Sequence, residues 1–328
     1  MSKKSRPNAF QGKLKRKIYF EGWYNKIVDT SAKHIYAIIP TIALNRKNKT
    51  SHCAIQFFDA TNAKSEYFQF NLDEFKNLSN REYEISIGRN YFSSERTILN
   101  IDQKGYKITG DLQYSNPVPW PRKFLQPGAM GFLSYIPFLE TYHAVVSMNH
   151  RIEGEISVNG EIVNFNNGKG YIEKDWGKSF PMAWIWTQSN HFSNGNLSFM
   201  FSIAKVPFLG KKFNGFLSAI WCNGKFFKFA TYTGAKVKSL TIIPDHINVI
   251  VEDKRYRVVF EVTKKDIKTR SLLAPHQGVM SGRIAETINS KIKLKLFDFK
   301  TQKTIIEDEG INAGFEAKEP ETLKPKKK

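Results

Sequence analysis

The sequence predicts an all-β protein made of two antiparallel barrel units, and three observations carry that expectation. Short alternating runs bounded by turn residues recur along the chain, and no long amphipathic helix interrupts them. A chain of 328 residues is also too long for one small barrel.

The elements follow in order. Alternation of apolar and polar residues is seen at residues 83–87, 106–114, 247–251, 256–262 and 292–299. Residues 152–165 read IEGEISVNGEIVNF, two alternating runs around Asn159-Gly160. Both central residues of such a turn need positive φ, which Asn and Gly adopt at low cost, so a hairpin is predicted. Asn223-Gly224 repeats the signal between AIWC and KFFKFATY. Short helices are expected around residues 73–78 and 282–288. Residues 116–139 break the pattern with five prolines and with Trp120, Phe124, Phe132, Tyr135 and Phe138. Proline is hostile to a sheet interior, so this stretch reads as a lid, a pocket wall, a surface patch or a plug over one barrel end.

Composition narrows the class. Hydrophobic residues at 41% and charged residues at 24% fit a globular core, and 14% aromatics lean toward strands. Two cysteines, Cys53 and Cys222, can neither frame a small fold with disulfides nor fill a zinc site, and they fit a reducing, cytoplasmic compartment. No apolar run reaches the roughly 18–20 residues of a transmembrane helix. No apolar segment follows the basic start, so no secretory signal is expected. The formal charge is +20. Seven basic residues and no acid lie in residues 1–20, and Lys324, Lys326, Lys327 and Lys328 close the chain. Residues 1–16 are therefore expected as a disordered basic arm and residues 319–328 as a Lys-rich tail. Both could attract an anionic membrane, placing the protein peripherally at its surface. Nucleic acid is not the expected partner, because no zinc finger, RNP-like motif or basic helix is legible.

Three segments are dense in aromatic and polar residues together: residues 19–24 (YFEGWY), 168–177 (GKGYIEKDWG) and 184–192 (WIWTQSNHF). Strand alternation puts Tyr171, Glu173 and Asp175 on one face, opposite Ile172, Lys174 and Trp176. It likewise groups Trp184, Trp186, Gln188 and Asn190 opposite His191 and its face-mates. Flat apolar walls with a few oriented polar groups are what a ligand pocket needs, although a tryptophan-rich core or a surface ion pair would read similarly. His143 and His150 have no carboxylate at metal-ligand spacing, so no metal is expected. No nucleophile elbow or phosphate loop is present.

The segments YFEGWY, PFLETYHAVVSMNH, GKGYIEKDWGKSFP and WIWTQSNHF, with Ala274-Pro275 and residues 280–283 (MSGR), together resemble the tocopherol cyclase family. That family is grouped with lipocalin-like proteins such as the carotenoid hydratase hydroxyneurosporene synthase. The resemblance implies two lipocalin-like β-barrel domains, residues 17–180 and 181–318, with a ligand site near their junction at Phe180-Pro181. It further implies an isomerase or hydratase acting on a prenylated quinol or another prenyl lipid. Ring closure then begins with protonation of an alkene and needs no redox cofactor and no metal. Asp175 is the first candidate for the acid and Glu173 the second, because an apolar setting can keep a carboxyl protonated. His191 or His150 could take the phenol proton. Trp176, Trp184 and Trp186 could face the cation, Gln188 and Asn190 could orient the phenol, and Glu21, Trp23 and Tyr171 could complete the pocket. The alternative is a non-catalytic carrier of a hydrophobic ligand on the same fold.

Overall fold

A computed structural model of the protein describes residues 3–137, 139–208, 210–264 and 270–325. Phe138 and Lys326, Lys327 and Lys328 lie outside the described residues. The first sheet contains β1 (Ile18–Val28), β2 (Ile35–Asn45), β3 (His52–Asp59), β4 (Lys64–Phe70), β5 (Phe75–Asn77), β6 (Glu84–Ile87), β7 (Asn90–Ser93), β8 (Arg96–Gln103), β9 (Tyr106–Ser115), β10 (Thr141–Val158), β11 (Glu161–Asn164) and β12 (Gly168–Gly177). Its order is β4-β3-β2-β1-β12-β10-β9-β8-β7-β6-β5, with β11 paired to β10. The second sheet contains β13 (Trp184–Ser189), β14 (His191–Phe192), β15 (Leu197–Phe208), β16 (Lys211–Cys222), β17 (Lys225–Ala230), β18 (Lys236–Ile243), β19 (His246–Glu252), β20 (Tyr256–Thr263), β21 (Arg270–His276), β22 (Val279–Asp298) and β23 (Lys303–Lys318). Its order is β17-β16-β15-β13-β23-β22-β20-β19-β18. The protein is all-β and its strand pairs are antiparallel.

Each sheet wraps a core of its own. In the first, Trp23 and Ile27 of β1, Phe57 of β3, Phe68 of β4, Ile85 of β6, Ile108 of β9 and Trp176 of β12 belong to one buried cluster. Both ends of the strand order feed that cluster, so the sheet must curl to bring them together. In the second, Ile185, Phe199, Phe201, Val249, Phe260, Leu294 and Phe315 do the same. Sequence alternation maps directly onto burial in β19, whose residues alternate half-buried and buried from end to end. The two hairpin turns form as expected: Asn159 and Gly160 have φ of 53° and 90°, and Asn223 and Gly224 have 47° and 83°.

Several expectations are corrected. Residues 282–288 are not a helix but part of β22, where Glu286 and Thr287 pair with Glu316 and Phe315 of β23. A long-range ladder overrides weak local helix propensity there. Around residues 73–78 a single 3₁₀ turn, Leu72–Glu74, gives way to strand β5. The chain divides into two compact units, Met1–Phe180 with Ser271–Arg283, and Pro181–Arg270 with Ile284–Lys328. The second unit is thus not the continuous 181–318 expected. Residues 271–283 return to the first unit because its side chains and backbone fix them. Leu273 N–H donates to Gln56 Oε1 at 2.9 Å, and Asn45 Nδ2 donates to the Gln277 carbonyl at 2.9 Å. Gly278, at φ 71°, lies where a Cβ would sit 2.1 Å from the Leu44 carbonyl oxygen, so only glycine fits that approach.

The arm is not a solvated, disordered segment either. Asn8, Ala9 and Phe10 are buried, and the Phe10 ring packs 5.0 Å from Phe75 and 6.5 Å from Trp23. Among the described residues of the arm, Lys13, Lys15, Arg16 and Lys17 form an exposed basic stretch. In the tail, Leu323 is buried and its carbonyl accepts a hydrogen bond from Asn214 Nδ2 at 3.0 Å. Among the described residues no helix is long and apolar enough to cross a membrane.

Candidate active site

β12 is the strand that organises the site. It is hydrogen-bonded to β1 on one side and β10 on the other, so the pleat alone sorts its side chains. Ile172 and Trp176 join the core cluster, which places Lys174 on the core face as well. Tyr171, Glu173 and Asp175 occupy the opposite face.

On that opposite face β10 delivers His143 directly across from Asp175. The imidazole Nδ1 lies 3.0 Å from Asp175 Oδ1, and Nε2 lies 3.6 Å from Glu173 Oε2. Tyr171 donates its hydroxyl to Glu173 Oε2 at 2.6 Å. The His143 and Glu173 side chains are 12% and 7% exposed, whereas Asp175 is 26% exposed and is the carboxyl a ligand can reach most easily. Burial alone would lower the His143 pKa, but the Asp175 and Glu173 carboxylates outweigh it and raise it to about 9. At neutral pH His143 is therefore an imidazolium clamped between two carboxyl groups. Burial, reinforced by Glu173, holds the Tyr171 phenol well above its usual pKa, so it stays a donor. These three groups, His143, Glu173 and Asp175, also present ligand atoms within 4.8 Å of one another. A metal bound there would take the place of the proton on His143.

The core face of β12 carries a different arrangement. Lys174 Nζ is 2.6 Å from Glu21 Oε1, and both side chains are fully buried. Lys174 also donates to the carbonyls of Pro7 and Ala9 at 2.8 and 2.5 Å. Its ammonium sits 5.1 Å from the Trp23 ring centroid and 4.6 Å from that of Trp176. Glu21 accepts the backbone N–H groups of Gln11 and Gly12 and the Tyr19 hydroxyl. Lys174 thus joins Glu21 of β1 to two carbonyls of the arm, so this pair is a tether rather than a reaction site. His150 lies on the same core side, opposite Gly170. A Cβ on Gly170 would fall 2.1 Å from its Nε2, so the ring occupies the space that the missing side chain leaves. Burial lowers the His150 pKa to about 3.

The predicted site residues thus separate into groups. Tyr171, Glu173 and Asp175 come together, with His143 as the partner that sequence reasoning passed over. Glu21, Trp23, Trp176 and His150 do not join them, because the pleat turns them to the other side of the sheet. His150 is corrected as a phenol base for that reason, and Trp23 and Trp176 as walls beside Asp175. Trp184, Trp186, Gln188, Asn190 and His191 belong to the second unit. There Trp184 Nε1 donates to Glu316 Oε2 at 2.9 Å, and Trp186 packs on Gly314, where a Cβ would lie 2.6 Å from its ring. Glu286, fully buried, pairs in register with Glu316. His191 Nδ1 lies 2.9 Å from Asn190 Oδ1. Glu286 and Glu316 were missed because neither stands in an aromatic-rich motif.

The two histidines set opposite pH limits on stability. The unfolded reference is about 6.5. His143, raised in the fold, contributes fully below that value and loses its contribution as pH rises through about 9. His150, lowered in the fold, contributes fully above about 6.5, and that contribution is lost as pH falls toward about 3. The melting temperature is expected to peak near neutrality and to fall from pH 7 to 9. His143→Gln should flatten that alkaline fall, and an unchanged slope in the variant would show that His143 does not hold an extra proton.

Comparison with known proteins bears on the family. The model for tocopherol cyclase-like proteins matches residues 98–317, most of the chain. A chloroplastic protein of Oryza sativa subsp. japonica, named as a probable tocopherol cyclase, is 33% identical over 156 residues, 46% of this chain and 32% of that protein. The chloroplastic tocopherol cyclase of Zea mays is 32% identical over 117 residues, 34% of this chain and 24% of that one. The matched regions thus span about a third or less of those plant proteins. Among solved structures, CghA with Sch210972 is similar at a TM-score of 0.58 and 9% identity, covering 92% of this chain and 89% of its own. Kievitone hydratase from Nectria haematococca is similar at a TM-score of 0.52 and 12% identity, covering 97% and 92%. These structural likenesses concern the fold, which is lipocalin-like in both units. With its matched segment spanning β8 to β23 and containing His143, Glu173 and Asp175, the chain belongs to the tocopherol cyclase-like family.

Proposed function

We propose that this protein is an enzyme of prenyl lipids that protonates an alkene and lets an internal phenol or a water molecule capture the cation. The observation that carries the reading is the His143 ring held between Glu173 and Asp175 on one face of β12 and β10. The His143 imidazolium passes its proton to Asp175, the most exposed member, which delivers it to the less substituted alkene carbon. A C–H bond forms from the π pair, and a tertiary cation is left on the neighbouring carbon. A lone pair of the phenol oxygen, or of water, closes on that carbon. The proton released from that oxygen returns to the Asp175 carboxylate, so the cycle changes no redox state and consumes no proton. His143 equilibrates protons with Asp175 across 3.0 Å, and Glu173, fixed by Tyr171, keeps the ring oriented.

The family supports the substrate class, and the mixed acid–imidazolium cluster supports catalysis over carriage. The test is to incubate the purified protein with a prenylated quinol and analyse the lipid by mass spectrometry. Cyclisation gives a product of unchanged mass and hydration one heavier by a water. Tight binding of the prenyl lipid without conversion would instead make the protein a carrier.

A further inference from the structure

Residues 116–139 contain the most exposed apolar surface of the first unit. Phe124 is 92% exposed, Leu125 65% and Phe132 50%. The exposure is built in. Lys123 and Gln126 exchange backbone hydrogen bonds, each N–H to the other's carbonyl at 2.9 Å, so Phe124 and Leu125 are the central residues of a tight turn. The Tyr135 hydroxyl donates to the Phe124 carbonyl at 3.3 Å. Behind the tip the segment is anchored: Pro127, Gly128 and Ala129 are buried, and a Cβ on Gly128 would lie 2.8 Å from Pro7 Cγ. Lys4 Nζ donates to the Tyr135 carbonyl at 2.9 Å, and His143 N–H donates to Met130 Sδ at 3.1 Å. The result is a fixed base with an apolar tip in water, a combination that a soluble surface disfavours unless something covers it.

Charge identifies the cover. The tip is preceded by exposed Arg122 and Lys123, and residues 116–139 contain no acid. Arg122 has a neighbour in Glu82 at 3.3 Å, on the exposed surface. Paired apolar side chains flanked by cations match the headgroup–acyl boundary of an anionic bilayer, where rings and aliphatic groups enter the interface and cations meet phosphate. We propose that Phe124 and Leu125 are a membrane wedge that seats this unit on an anionic bilayer, with Arg122 and Lys123 at the headgroups. The expectation from sequence placed membrane attachment in the two tails, yet the start of the arm is folded onto the first unit. The wedge goes beyond the proposed chemistry and does not depend on it.

The test is flotation with vesicles of phosphatidylcholine alone and of phosphatidylcholine with phosphatidylglycerol, over a salt series. Wild type should float with the anionic vesicles, less so at high salt. The Phe124→Ser/Leu125→Ser variant should lose about 30-fold or more in vesicle affinity, as expected from two apolar side chains leaving the interface. Arg122→Gln/Lys123→Gln should lose about fivefold per charge, at low salt only. Leu125→Trp should show a blue-shifted emission component on anionic vesicles that wild type lacks. Unchanged melting temperatures would accompany these results, since the altered side chains are exposed. Equal flotation of wild type and the double serine variant would overturn the proposal. So would wild type that stays off vesicles while the serine variant breaks up a dimer, which would make the tip a contact between two copies of the chain.

Discussion

Asp175→Asn is expected to lower turnover of a prenylated quinol by about 10²–10⁴-fold, the range for loss of a general acid. The amide preserves the shape of the carboxyl and still meets His143, but it cannot deliver a proton. Binding of the prenyl lipid should survive, because the apolar contacts are untouched. Steady-state assays with a parallel binding titration separate the two effects. A wild-type rate in Asp175→Asn would clear this residue and turn attention to Glu173, or to Glu286 and Glu316 of the second unit. His143→Gln should also slow turnover and should shift the alkaline limb of the pH–rate profile. A residue that merely held the strands together would not move that limb.

Lys174→Met is expected to destabilise the first unit by about 3–5 kcal/mol, the usual consequence of removing one partner from a fully buried ion pair. Glu21 would be left in the core with its charge opposed only by backbone N–H groups and the Tyr19 hydroxyl. The carbonyls of Pro7 and Ala9 would lose their donor at the same time. Denaturant unfolding measures the loss, and limited proteolysis in the arm should become faster. The double variant Glu21→Gln/Lys174→Met should regain part of the stability, because the stranded charge is gone. An unaltered unfolding midpoint in Lys174→Met would show that the arm is not tethered through this pair.

Much of the fold was legible because its signals are local. Asn159-Gly160 and Asn223-Gly224 announce their turns whatever the rest of the chain does. The period-two burial of β19 is written in its own residues. The face shared by Tyr171, Glu173 and Asp175 follows from the pleat of one strand. What was hidden depends on partners distant in sequence. His143 meets Asp175 only through the register of β10 on β12, and that ladder shifts between Val145 and Ser147 and again before His150. Counting spacings within one segment cannot find such a pair. The same limit explains Glu21, whose partner Lys174 was read only as a face-mate of Trp176. It explains the arm too: a run of cations without acids reads as solvated, while the carbonyls of Pro7 and Ala9 that bind Lys174 carry no sequence signature. Residues 282–288 were misread as helix because their strand identity comes from β23.

Proton delivery can be followed directly by running the reaction of wild type and Asp175→Asn in heavy water and locating deuterium in the product by mass spectrometry and NMR. Alkene protonation by the His143–Glu173–Asp175 cluster predicts one deuterium per product molecule, on the carbon next to the new C–O bond, formed by wild type and at most in traces by Asp175→Asn. Product that carries no deuterium on carbon, or that Asp175→Asn labels at the wild-type rate, would contradict it.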